Sequence, residues 1–79
     1  TLDLENNEIK RLAQNTFQNL NLLRTLKLNK NFLDNNFNQG LECMSLTRNL
    51  ILSKNELKII KKTLFINSSQ IQTLDMSSN

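Results

Sequence analysis

Apolar residues recur along this chain at a fixed interval. Alternating pairs stand at Leu2/Leu4, Leu26/Leu28, Leu50/Leu52 and Leu74/Met76, and an asparagine follows each pair three residues on. Those asparagines, Asn7, Asn31, Asn55 and Asn79, are 24 residues apart without slippage. Ile9, Leu33 and Leu57 come two residues later, and Leu23 and Ile71 open their units, with Thr47 in that place in the third. Alternation with period two predicts short strands whose leucines point inward and whose intervening residues face the other way. The windows are 1–5, 25–29, 49–53 and 73–77. Regular repetition predicts coils stacked side by side, with their strands paired in parallel. The fold class is therefore α/β. It is a solenoid with a parallel sheet on its concave face and an irregular or short-helical convex side.

The back half of the unit repeats as well. Phe17, Leu41 and Phe65 share one column, Leu12, Asn36 and Ile60 a second, and Leu20, Met44 and Ser68 a third. Their apolar members should fill the core behind the sheet, with the aromatics toward the convex side. Asn36, Thr47 and Ser68 break the pattern, so "DNNFNQGLECMSL" (34–46) is the least regular stretch, and Phe37 and Leu46 are placed to compensate. The periodic asparagine falls where the chain leaves the sheet. An amide donates and accepts, so stacked asparagines can satisfy turn backbone groups that burial would otherwise leave unpaired.

The pattern L-x-x-L-x-L-x-x-N-x-L, cleanest in "LLRTLKLNKNFL" (22–33), is the leucine-rich repeat signature, present here in four phased copies. A 24-residue unit with Phe near its end resembles the "typical" class found mostly in extracellular animal proteins. Within that class "NTFQNLNLLRTLKLNKN" (15–31) and "TLFINSSQIQTLDMSSN" (63–79) are similar to the ectodomains of Toll and Toll-like receptors. The resemblance implies an extracellular or cell-surface protein in innate immunity or development, whose ligand brings two ectodomains together. A secreted adhesion or matrix protein and an intracellular repeat scaffold are the alternatives.

Composition narrows the chemistry. Of 79 residues 38% are hydrophobic, too many for a disordered tail, and the net charge of +3 is far from a nucleic-acid binder's basic footprint. With no histidine, a lone Cys43, scattered carboxylates and only Gly40, neither an active site nor a metal or cofactor site is expected. No apolar run is long enough to span a bilayer, so any membrane attachment would come from parts of the parent chain outside this sequence. "TLDL" at the start reads as the middle of a unit, not as a signal peptide. Residues 1–79 are accordingly expected to be about three uncapped repeats of a longer solenoid, unstable or aggregating when isolated.

Binding should use side chains that point away from the core. The outward columns are Thr1/Thr25/Asn49/Thr73, Asp3/Lys27/Ile51/Asp75, Glu5/Asn29/Ser53/Ser77 and, at the sheet edge, Asn6/Lys30/Lys54/Ser78. Candidate ligand contacts are Lys27, Asn29, Lys30, Asn49, Ile51, Ser53 and Lys54, where an exposed isoleucine sits among charges. A protein or peptide ligand, together with a receptor dimer partner, fits this surface. A polyanion is the weaker option, because a handful of lysines gives little salt-sensitive affinity. Lys58, Lys61 and Lys62 read as a solvated face. Asn67 opens an N-x-[ST] sequon in an outward column with Asn19 and Cys43, which makes it a glycosylation candidate on the convex side. Cys43 pairs with a cysteine elsewhere or serves as a small half-buried residue.

Overall fold

The computed structural model describes residues 1–13, 16–17, 20, 22–34, 47–58 and 70–79. Four short strands lie within them: β1 (Leu2–Asp3), β2 (Thr25–Lys27), β3 (Asn49–Ile51) and β4 (Thr73–Asp75). They form one parallel sheet in chain order, β1-β2-β3-β4. Leu2, Leu26, Leu50 and Leu74 stand opposite one another, so neighbouring strands pair at an offset of one 24-residue unit. Each unit thus closes one coil beside its predecessor. Among the described residues there is no α-helix.

The strands span two or three residues, against five in each window read from the pattern. The hydrogen-bond ladder nevertheless continues past their ends. Leu4 N donates to Lys27 O (2.9 Å), Leu28 N to Ile51 O (2.9 Å) and Lys30 N to Ser53 O (3.0 Å). Regular geometry stops because the fifth residue after each window opens turns left-handed: Asn6, Lys30, Lys54 and Ser78 have φ between 57° and 60°. A residue with a Cβ loses about 1–2 kcal/mol there, somewhat less for asparagine. The cost is tolerated at four equivalent places because it swings the chain off the sheet and turns the next residue, the periodic asparagine, back toward the coil, where Asn31 and Asn55 are buried.

Burial follows from stacking. Leu26, Leu28, Leu33 and Leu52 have no exposed surface, and Leu12, Phe17, Leu50 and Leu57 complete the core. Full burial of one such side chain contributes about 1.5–3 kcal/mol. Leu2, Leu4, Ile9, Leu23, Ile71 and Met76 pack against this core while staying partly open. Leu74, in a strand with a neighbour on one side only, is 39% exposed.

Thr47 occupies a leucine position, is buried, and has no wasted polar atom: its hydroxyl donates to Leu23 O (3.3 Å). Leu20, expected in the core, is instead exposed. Two successive tight turns, Leu20 N to Phe17 O and Leu23 N to Leu20 O (3.1 Å each), carry it and exposed Leu22 outward. Phe17 of the same stretch is buried as the aromatic column requires. Phe37, Leu41, Met44, Leu46, Ile60, Phe65 and the irregular positions Asn36 and Ser68 lie outside the described residues.

Candidate functional site

The periodic asparagines tie the coils together. Asn55 Nδ2 donates to Leu52 O and Leu28 O (3.0 Å each) and to Ser53 O (3.3 Å), while its Oδ1 accepts from Leu33 N (3.0 Å). Asn31 repeats the scheme one coil earlier, donating to Leu28 O (2.9 Å) and Leu4 O (3.0 Å) and accepting from Ile9 N (3.1 Å). Asn79 does so one coil later, donating to Met76 O (2.9 Å) and Leu52 O (3.0 Å) and accepting from Leu57 N (3.0 Å). Asn7 reaches only carbonyls of its own coil, Leu4 O (2.9 Å) and Glu5 O (3.3 Å), and is exposed. Asn31 and Asn55 are buried, with 3% and 8% exposure, so each amide replaces water for turn groups that water cannot reach.

This frame holds the outward face of the sheet. Asn49 Nδ2 donates to Thr25 Oγ1 (3.1 Å), linking two coils on the surface. Lys27, Asn29, Asn49, Ile51 and Ser53 are half-buried there, and Lys30 and Lys54 are exposed. Ile51 is therefore not the exposed apolar residue its register suggested. Ile51 has a paired strand on either side, only about 4.8 Å away, with Lys27 and Asp75 as its register neighbours.

Lys30 is engaged as well, its Nζ 3.2 Å from Glu5 Oε1 of the preceding coil. Such a partly exposed pair contributes under about 1 kcal/mol, yet it orients the lysine along the edge. Asn29 Oδ1 is buried without a hydrogen-bond donor. Asp75 closes a local turn, accepting from Ser77 N (3.0 Å) and Ser77 Oγ (2.7 Å). Those two bonds, the backbone one first, hold its carboxyl below the ordinary value of 3.8. Asp3 makes the equivalent turn with Glu5 N (2.9 Å). Asn67, Cys43, Lys61 and Lys62 lie outside the described residues, and Lys58 is exposed.

A second feature went unread in the sequence. Past the asparagine ladder, Lys10, Arg11, Phe32, Asp34 and Glu56 line a groove of about 520 Å³ on the side of the stack. Phe32 is 44% exposed there. The available signal was the column Glu8, Phe32, Glu56, in which one aromatic interrupts acidic residues at the 24-residue spacing.

The parallel strands, the asparagine ladder and the leucine interior agree with a comparison against known families, in which the leucine-rich repeat model matches residues 1–57. The chain belongs to the leucine-rich repeat family. Repeats of this family are typically non-enzymatic modules that bind other proteins. No curated protein and no solved structure matches the chain. Among the described residues no group of side chains could hold a metal ion, and no helix is long and apolar enough to cross a membrane.

Proposed function

We propose that this leucine-rich repeat segment belongs to the ectodomain of an extracellular receptor similar to the Toll and Toll-like receptors, in which it is scaffold and ligand-contacting surface. The observation that carries the reading is the unit itself: 24 residues long, unbroken over four asparagines, with Phe17 packed behind the sheet as in the "typical" extracellular class. The ligand is a protein or peptide. It contacts the outward sheet face at Lys27, Asn29, Lys30, Asn49, Ile51, Ser53 and Lys54, and a receptor dimer partner completes the assembly. Half-buried Asn29 and the cross-strand neighbours Lys27 and Ile51 give this face both polar and apolar groups.

Location and surface are tested in the full-length protein expressed in animal cells. Labelling of the protein from outside the cell and a glycan on Asn67 by mass spectrometry are the expected results. Protein found only in the cytosol, with Asn67 unmodified, would overturn the receptor reading in favour of an intracellular scaffold. Charge reversal at Lys27 and Lys54 is expected to abolish binding of peptides selected by display against the native ectodomain. Unchanged binding of every selected peptide would remove the sheet face as the contact surface.

A further inference from the structure

The side groove draws on three consecutive coils. Lys10 and Arg11 follow the first periodic asparagine, Phe32 and Asp34 the second, and Glu56 the third. Two backbone bonds hold these stretches in register: Phe32 N donates to Ile9 O (2.8 Å) and Glu56 N to Leu33 O (2.9 Å). Charge therefore changes sign along the stack. Cations stand on one coil, carboxylates on the next two, and a half-open aromatic ring lies between them. Among the described residues Lys10, Arg11 and Glu56 belong to no ion pair. Their charges are available to a partner.

We propose that this groove docks a short extended peptide from a partner protein, bearing an acidic, an apolar and a basic side chain in that order along one face. Lys10 and Arg11 would meet the acidic group, Phe32 the apolar one, and Glu56 the basic one. Spacing supports the match. Coils stacked at about 4.8 Å put the first and third roughly 10 Å apart, while same-face residues i and i+4 of an extended peptide span about 13 Å. The long lysine, arginine and glutamate side chains absorb the difference.

Recognition runs through side chains, because the N–H groups of Phe32 and Glu56 are already committed to neighbouring coils. A groove of about 520 Å³ is the size of a site for a small ligand or a few residues. A second copy of the chain would also meet the charge pattern across a twofold axis, but a stable dimer needs about 800 Å² from each partner.

The site is separate from the sheet face, so it can fail or hold independently of the receptor reading. The test uses the full-length protein and three fluorescent five-residue peptides with leucine at the centre and serine beside it. One has glutamate and arginine at its ends, one has glutamate at both ends, and one has lysine at both ends. The mixed-charge peptide is expected to bind about tenfold more tightly than either other, a difference of about 1.4 kcal/mol. Phe32→Ala should remove most of that binding. The double reversal Lys10→Glu with Arg11→Glu should transfer the preference to the doubly basic peptide. All three substituted positions are solvent-exposed or half-open, and an unchanged thermal melt checks that the fold is intact.

Equal binding of the three peptides would overturn the proposal, as would a preference indifferent to the double reversal. Self-association in sedimentation that Phe32→Ala abolishes, without peptide selectivity, would overturn it in favour of a second copy as the occupant.

Discussion

Asn55 is 8% exposed, with its amide shared among the carbonyls of Leu28, Leu52 and Ser53 and its oxygen taken by Leu33 N–H. Glu56, the next residue, is exposed and lines the groove beside Phe32. One peptide bond separates a position where a single side chain satisfies four backbone groups from one where the side chain faces water. The column through Asn55 is asparagine in all four units, whereas the column through Glu56 reads Glu8, Phe32, Glu56. Inside the stack each coil presents the next with the same unpaired groups, so the same side chain answers each time. Outside it, water answers instead, and the residue is free to serve a partner.

The sharpest way to break that contrast is to remove one asparagine from the interior and one from the end of the ladder. Asn55→Ala leaves carbonyls and the Leu33 N–H without partners, each costing about 1–3 kcal/mol, so a total loss of at least about 3 kcal/mol is expected. Asn7→Ala, at an exposed site bonding only its own coil, should cost under about 1 kcal/mol. Urea denaturation of the full-length protein measures both. Equal losses would mean that bonds between coils add nothing to those within one.

A smaller effect tests the left-handed turn that delivers these asparagines. Lys54 holds φ at 57°, which glycine adopts without steric cost. Lys54→Gly should relieve that strain but give back part of it as extra freedom of the unfolded chain, for a net gain of about 0.5 kcal/mol. A net loss in the same denaturation experiment would show the lysine side chain stabilising the edge.

The smallest effect concerns the outer face. Asp75 titrates below 3.8 in the fold because Ser77 N–H and then Ser77 O–H donate to its ionised form. A depressed carboxyl contributes stability that is fully present above its unfolded value and disappears as pH falls through its folded value. The stability difference between the native protein and Asp75→Asn should therefore shrink below about pH 3.8. A difference independent of pH between 5 and 2 (about the range that brackets the carboxylate titration) would contradict the bond pattern.

Much of the interior was legible before any coordinates. Leu26, Leu28, Leu33 and Leu52, all fully buried, fall on the repeating apolar columns, because a side chain trapped between identical coils has few acceptable identities. Leu20 misled for the opposite reason: its column is apolar in the first two units, but tight turns on the far side set its direction locally. Ile51 misled in another way. Alternation shows that it points away from the core, but not how much of it the strands paired on both sides, 24 positions away in sequence, leave open. The ion pair of Lys30 with Glu5 likewise joins residues 25 positions apart, at different places in their units.

Periodicity in the residue order settles the inward set, since backbone needs and close packing recur identically from coil to coil and admit little substitution. The outward set is different. The cations of one coil, the aromatic and the aspartate of the next and the glutamate of the third share a groove only once stacking brings them side by side. The 24-residue spacing places Phe32 and Glu56 in one column, but it does not set which residues stand there, because solvent imposes no identity on the side chains it surrounds.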